Sequence, residues 1–242
     1  MKVLILNSGL GSRMGVLTTE HPKCMTDISE RDTILSRQLR VVREAGLKDV
    51  VITTGYYDDV LKDYCANLNT GLNIQFVYNP IYRDTNYIYS IYCARDVLQD
   101  DIILMHGDLV FTKKAFDMVL NSENSCMAVS STLPLPEKDF KAVVLDGRVR
   151  KVGIEFFDNA YEAQALYKLN KAEWKLWLDN IKKFCENGTC KCYAENAFNE
   201  ISDKCTIYPM DVKDELCAEI DNADDLKVVS EKLRVVEERE NG

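Results

Sequence analysis

No apolar run in this sequence of 242 residues approaches the roughly 20 residues that a helix needs to cross a bilayer, although 46% of the residues are hydrophobic. The N-terminus also lacks the features of a signal peptide. Its apolar stretch, residues 2–6, is shorter than an h-region and leads directly into a glycine-containing loop. Together these two absences predict a cytoplasmic protein with no membrane partner.

The nine cysteines include no CxxC pair, which is the usual spacing of structural zinc ligands. We therefore expect free and mostly buried thiols. Positive charge is also scarce, because 39 acidic residues outnumber 30 Lys and Arg and give a net charge of −9. A nucleic-acid partner is not expected for such a chain.

The loop of residues 7–28 is the most informative stretch, and it follows a short apolar strand predicted at residues 2–6. Its three glycines, at positions 9, 11 and 15, would let backbone N–H groups approach phosphate oxygens without a Cβ in the way. Arg13 and Lys23 add fixed positive charge. The loop therefore predicts a phosphate-chain site. A dinucleotide site fits less well, because the glycine spacing is G-x-G-x-x-x-G instead of G-x-G-x-x-G.

Strand and helix patterns alternate over the first 131 residues. Helices are predicted at residues 33–45, 58–68, 87–98 and 112–120, with strands at 49–54, 73–78, 101–105 and 126–131. Asp58 is a predicted helix cap. This alternation predicts a Rossmann-like, three-layer α/β sandwich with a mostly parallel central sheet.

Beyond residue 133 the alternation changes, since Pro134 and Pro136 interrupt the chain. Short strands are predicted at 142–145 and 149–154, joined by the Asp146-Gly147 turn signal, and further strands at 161–169, 205–209 and 217–220. Helices are predicted at 171–184, 195–201 and 222–240. We expect a single domain, residues 1–242, in which residues 134–210 form a lid grown from the same sheet.

Two acidic residues directly follow predicted strands, Asp108 after residues 101–105 and Asp221 after residues 217–220. In open parallel sheets the ligand crevice lies beyond the carboxyl ends of the strands, on the same rim as the glycine loop. Two carboxylates together with substrate phosphates are typical of a Mg²⁺ site. Each aspartate could instead cap the following helix, and His106 is expected to be structural. A phosphate loop beside a metal site predicts nucleotidyl transfer.

Five motifs resemble the sugar-phosphate nucleotidylyltransferase family, in particular its small bacterial branch typified by CTP:phosphocholine cytidylyltransferase. They cover nearly the whole chain and are, in order, Gly9-Leu-Gly11-Ser12-Arg13-Met14 with Pro22-Lys23, Tyr82-x-Asp84-Thr-Asn86-x-x-x-Ser90, His106-Gly107-Asp108, Glu195-Asn196-x-x-Asn199 and Glu219-Ile-Asp221-Asn-Ala-Asp224. The resemblance implies the fold of nucleotide-diphospho-sugar transferases and transfer of CMP from CTP to a small phosphorylated acceptor.

The same resemblance implies roles for individual residues. Arg13 would bind the β- and γ-phosphates, Lys23 would bind the α-phosphate, and both would be catalytic. Mg²⁺ would be held by Asp108 and Asp221. The nucleotide would be contacted by Leu6, Gly9, Gly11, Ser12, Arg13, Lys23, Asn86 and Ser90.

The acceptor is less well determined, because the sequence departs from the family pattern in two places. Asn7-Ser8-Gly9 stands where A-[AG]-G is commoner, and residues 137–141 lack the tryptophan that choline-specific relatives carry there. Candidate acceptor contacts are Asp84, Asp139, Phe140, Lys141, Glu195 and Asn196. The acceptor could be a phosphocholine-like compound, 2-aminoethylphosphonate or, with another nucleotide, a hexose 1-phosphate. The alternative to an enzyme is a regulator that binds a nucleotide and has no catalytic activity.

Overall fold

A computed structural model describes the backbone of residues 1–240, together with the side chains of these residues except Ser12, Arg239 and Glu240. The elements in chain order are β1 (Lys2–Leu6), α1 (Ile34–Glu44), β2 (Asp49–Thr54), α2 (Asp58–Asn67), β3 (Asn73–Tyr78), α3 (Tyr87–Ala94), β4 (Ile102–His106), β5 (Leu109–Phe111), α4 (Lys113–Leu120), β6 (Cys126–Ser130), β7 (Lys141–Leu145), β8 (Arg148–Gly153), β9 (Ala160–Leu169), α5 (Lys171–Glu186), α6 (Ala194–Asn199), β10 (Tyr208–Asp211), β11 (Cys217–Glu219) and α7 (Ala223–Glu240). Short 3₁₀ segments lie at Ser12–Thr18, Lys23–Met25 and Arg95–Val97.

The central sheet has the strand order β10-β6-β9-β4-β1-β2-β3 and is mostly parallel, which confirms the predicted fold class. β1 pairs in parallel with both β2 and β4, and β3 continues the parallel run at the edge. β9 is the exception, because it lies antiparallel between β4 and β6. Residues 160–169 thus contribute to the central sheet although they fall within the 134–210 region.

The hydrophobic residues of the central strands divide between two core layers, as alternation along a strand requires. In β1, Leu4 and Leu6 pack on the side of α3, α5 and α6, whereas Val3 and Ile5 pack on the side of α1, α2 and α4. The helices therefore cover both faces of the sheet, as predicted. All nine cysteines are free thiols and seven are buried. Within the described residues, no helix has the length and apolar character needed to span a membrane.

Three details differ from the sequence-based expectation. β5 was not predicted, and it pairs antiparallel with β11 in a separate two-stranded sheet. The predicted strand at 205–209 is shifted to Tyr208–Asp211. The helix cap predicted at Asp58 is wrong, because Tyr57 is the cap and Asp58 is the first helical residue. The Asp58 carboxylate accepts hydrogen bonds from Thr54 and Lys62 instead.

The carboxyl ends of β1 and β4 approach each other closely at Gly107. The Gly107 N–H donates to the Leu6 carbonyl oxygen at 3.0 Å. A Cβ built on Gly107 would lie 1.7 Å from Asn7 Oδ1 and 2.8 Å from the Leu6 oxygen. Glycine is therefore required for the turn that leads from β4 to Asp108.

We predict that Gly107→Ala lowers the free energy of unfolding by about 1–3 kcal/mol, because the added methyl group must displace the Asn7 side chain and the Leu6 carbonyl oxygen. Chemical denaturation measures the change. Gly9→Ala is the matched control, since a Cβ there meets no atom within 4 Å. Equal stability of the two variants would contradict the close packing at Gly107.

Candidate active site

One ammonium group joins the two carboxylates that the sequence assigned to a metal. Lys23 Nζ donates to Asp108 Oδ2 at 2.6 Å and to Asp221 Oδ1 at 2.7 Å. Lys23 begins the 3₁₀ turn after Pro22, Asp108 lies in the turn after β4, and Asp221 lies two residues after the end of β11. The structure thus brings the glycine-containing loop and two strand ends together, as predicted.

Arg13 approaches Asp221 from the solvent side. Its two terminal nitrogens each lie 2.9 Å from a different carboxylate oxygen of Asp221, which is a bidentate ion pair. The Arg13 side chain is 72% exposed, so this pair is weaker than the buried contacts of Lys23. The backbone reaches Arg13 through Gly11, whose φ of 64° is in the left-handed region.

The charges of this cluster hold one another ionised. Burial lowers the pKa of Lys23, but the Asp108 and Asp221 carboxylates outweigh burial and raise the pKa above its ordinary value. Burial likewise raises the pKa of Asp108, but Lys23 and the neighbouring His106 bring it below its usual range. Lys23 is therefore a cation and Asp108 an anion at neutral pH.

A second, partly buried pair lies beside Asp108. His106 Nδ1 lies 2.7 Å from Glu219 Oε1. Burial lowers the pKa of His106, but the Glu219 carboxylate outweighs burial and raises it to about 9. Gln38 fixes the chain around the pair, because its Nε2 donates to the carbonyl oxygens of His106 and Leu109 at 2.9 and 2.8 Å. His106 and Glu219 are thus held together beside Asp108.

The residues fit a divalent cation. One side-chain atom each of His106, Asp108 and Glu219 lies within 4.8 Å of the others, which makes a candidate metal group in the described part of the chain. Asp108 Oδ1 is buried and accepts no hydrogen bond from the described residues, so it is available to a cation. The sequence assigned Asp108 and Asp221 and missed Glu219, although Glu219 opens the Glu-Ile-Asp motif.

Two cavities of about 360 Å³ and 280 Å³ adjoin at this cluster and share Leu6, Gly9, Arg13, Asp108 and Asp221 in their walls. The larger cavity also includes two more of the predicted nucleotide contacts, Asn86 and Ser90, and the smaller one includes Gly11 and Lys23. The remaining predicted contact, the side chain of Ser12, lies outside the described part of the structure. The predicted nucleotide residues are otherwise brought to one place.

The hydrogen bonds of Asn86 and Ser90 show how they are held. The Asn86 side chain caps α3 by accepting from the Tyr87 N–H at 2.7 Å. Ser90 is buried and accepts from Asn79 Nδ2 at 3.0 Å. Asn79 also lines the larger cavity, and the sequence reading missed it because nothing distinguishes it from a loop residue after β3.

The predicted acceptor contacts Asp84, Lys141, Glu195 and Asn196 are not among the described residues that line either cavity. Asp84 and Asn196 are exposed, whereas Lys141 and Glu195 are buried. Glu195 lies behind the wall, where it accepts hydrogen bonds from the hydroxyl groups of Tyr87 and Tyr167.

The wall in front of Glu195 is aromatic. The Tyr193 ring centroid lies 5.8 Å from that of Tyr87 and 4.9 Å from that of Phe140, and all three residues line the larger cavity. Of these three residues the sequence analysis named Phe140 alone, because residue type does not show which ring faces a cavity. Lys138 and Asp139 add one charge of each sign to the same wall.

Comparison with known proteins gives one family and several relatives. The family model described as "Domain of unknown function (DUF6564)" matches residues 20–202. CTP:phosphoglutamine cytidylyltransferase of Campylobacter jejuni is 29% identical over 135 residues, which are 53% of this chain and 52% of the relative. CMP-5'-(3-aminopropyl)phosphonate synthase of Streptomyces rubellomurinus is 30% identical over 135 residues, which are 56% of this chain and 21% of the relative.

The crystal structure of CTP:phosphocholine cytidylyltransferase from Streptococcus pneumoniae superimposes with a TM-score of 0.78 at 20% identity, covering 96% of this chain and 98% of the other. At this identity the match shows the fold. The resemblance to nucleotidylyltransferases inferred from the motifs is confirmed by these relatives. The chain spans about half of the first relative's length and about a fifth of the second's.

We predict that Lys23→Met tightens binding of Mn²⁺, used as a probe cation without nucleotide, by roughly tenfold, because Asp108 and Asp221 lose their shared positive partner. Electron paramagnetic resonance titration measures the free ion. Lys62→Met is the matched control, since it removes a lysine paired with Asp58 on α2. Unchanged Mn²⁺ affinity in Lys23→Met would show that the carboxylates do not form a cation site.

Proposed function

Because the chain belongs to the family described as Domain of unknown function (DUF6564), and because its relatives include cytidylyltransferases, we propose that it transfers CMP from CTP to a small phosphate or phosphonate acceptor and releases pyrophosphate. The observation that carries the proposal is the Lys23 ammonium held between Asp108 and Asp221 beneath a glycine-containing loop. A phosphate-binding cation and a carboxylate cluster at one point are the two parts that phosphoryl chemistry on a nucleotide requires.

The proposed reaction needs no covalent enzyme intermediate. The acceptor oxygen, which is already anionic near neutral pH, attacks the α-phosphorus of CTP in line with the departing pyrophosphate. Lys23 binds the α-phosphate and Arg13 binds the β- and γ-phosphates, so these two cations stabilise the charge that develops during transfer. Leu6, Gly9, Gly11, Ser12, Asn86 and Ser90 contact the nucleotide.

The proposed cofactor is Mg²⁺, which would neutralise charge on the phosphates and orient them when bound. Asp108 and Asp221 are its proposed ligands, and His106 and Glu219 lie close enough to support or share the coordination. Lys23 and Arg13 contact the oxygens of Asp221 in this structure. Binding of the triphosphate would give both cations phosphate partners and free these carboxylate oxygens.

The acceptor is proposed to bind at the aromatic end of the larger cavity. The rings of Tyr87, Phe140 and Tyr193, together with the Asp139 carboxylate, suit an acceptor with a cationic amino or ammonium group. This favours phosphocholine-like or aminoalkylphosphonate acceptors over a hexose 1-phosphate. Residues 134–210 then act as the acceptor region of a single domain.

The proposed compartment of the protein is the cytoplasm.

We predict that the protein releases pyrophosphate when it is given CTP, Mg²⁺ and a panel of acceptors comprising phosphocholine, 2-aminoethylphosphonate, an amino-acid phosphate and glucose 1-phosphate. A coupled pyrophosphate assay measures release, and omission of the acceptor is the control. Activity should be highest with an acceptor that carries a cationic amino or ammonium group. Binding of CTP without release for any acceptor would instead support the silent nucleotide-binding regulator.

We predict that Asp108→Asn and Lys23→Ala each lower kcat by a factor on the order of 10² or more while the protein stays folded, because each removes charge that acts on the transferring phosphate. Steady-state kinetics measures kcat, and circular dichroism measures whether the variants stay folded. Asp84→Asn is the matched control, since Asp84 is exposed and outside both cavities. A raised KM for the acceptor in Asp84→Asn would instead indicate that Asp84 contacts the acceptor.

A further inference from the structure

Lys141 is a fully buried lysine at the first position of β7. Its Nζ donates to the carbonyl oxygen of Pro136 and, at 3.0 Å, to that of Asp139. The same nitrogen lies 4.3 Å from the centroid of the Phe157 ring. It forms no ion pair with a carboxylate among the described residues.

Burying an ammonium group is costly unless its hydrogen atoms find partners. Here the partners are two backbone carbonyls and an aromatic face, so each of the three N–H bonds has one acceptor. Both carbonyls belong to residues 136–139, an irregular segment with no strand or helix of its own. The lysine therefore stabilises the conformation of this segment instead of balancing a charge.

The backbone of Lys141 is itself firmly held. It pairs with Gly153 of β8 and Glu162 of β9, so the side chain starts from the central sheet. It reaches back along the chain to the two carbonyls. A rigid strand end thus fixes the flanking loop through one side chain.

The segment that Lys141 holds forms part of the cavity wall. Lys138, Asp139 and Phe140 line the larger cavity, and Phe140 packs edge-on against Tyr193, which lines the same cavity. The same wall is the proposed acceptor end. Displacement of residues 136–140 would therefore change the shape of that end, whereas the hydrogen bonds of Lys23 to Asp108 and Asp221 do not involve this segment.

We propose that Lys141 is a positioning residue, which holds residues 136–140 as the wall of the acceptor end and does not touch the acceptor itself. This replaces the direct contact with a phosphate or phosphonate oxygen that the sequence suggested for Lys141. The part of the proposal that concerns the acceptor rests on the proposed function. The part that concerns the loop does not.

The first test is limited proteolysis of the substrate-free protein after Glu137, an exposed residue inside the segment. Lys141→Met keeps the length of the side chain and removes its N–H groups. Cleavage by a glutamyl endopeptidase, identified by mass spectrometry, should accelerate by on the order of tenfold because the segment opens more often. Lys151→Met is the matched control, since exposed Lys151 also lies over a ring, Phe156, at 5.5 Å. Cleavage at the wild-type rate in Lys141→Met would overturn the proposal.

The second test is kinetic. Lys141→Met should raise KM for the best acceptor by on the order of tenfold, while KM for CTP and kcat change by less than about threefold. A direct phosphate contact would also raise the acceptor KM but would leave cleavage after Glu137 unchanged, so the two roles are distinguished. If the wild-type protein turns over no acceptor, the proposed function fails and the proteolysis still decides the role of Lys141.

A second variant covers the case in which Lys141→Met does not fold. Phe157→Leu removes the ring over the ammonium from a residue that is 51% exposed. It should accelerate cleavage after Glu137 by about two- to threefold, consistent with loss of one cation–π contact. A folded Phe157→Leu protein with the wild-type cleavage rate would contradict the proposal.

Discussion

The balance of charge around Lys23 is the constraint on which the rest of the site depends. Asp108 and Asp221 approach from two different strand ends. Two carboxylates close enough to contact the same nitrogen repel each other unless a cation lies between them. The Lys23 ammonium, 2.6 and 2.7 Å from them, supplies that cation. A phosphate that binds here must pair with Lys23, and a metal ion must pair with the carboxylates that Lys23 now holds. Binding of one therefore changes the charge that the other meets.

The geometry of this exchange is set by main-chain contacts that admit little variation. Gly107 lets β4 run directly against Asn7 and Leu6, and Gln38 bonds the carbonyl oxygens on both sides of the turn. Because the turn cannot shift, Asp108 stays beside Lys23 and His106 stays beside Glu219. The partly buried charged groups thus lie side by side, and two of their buried atoms, Asp108 Oδ1 and His106 Nε2, have no hydrogen-bond partner among the described residues.

The sequence predicted the first half of the fold well because its signals there are local. Helical spacing and short apolar runs placed β1, β2 and β3 at their observed bounds, and α1 within a residue or so at each end. β5 and the position of β9 depend on pairing with chain segments far away in sequence. β5 finds its partner at Cys217–Glu219, and β9 lies between Ile102–His106 and Cys126–Ser130. No local pattern specifies such a partner.

The same distinction applies to the site. Asp108 at the end of β4 and the loop after β1 that carries Lys23 were predicted to lie together, because the carboxyl ends of parallel strands meet at one edge of the sheet. Lys141 and Glu195 were expected to face an acceptor, yet both are buried and directed at the protein itself. Lys141 bonds the loop carbonyls and Glu195 accepts from Tyr87 and Tyr167. Residue type gives the charge but not its direction, so the proposed acceptor end is lined by rings and a loop that these two buried side chains contact.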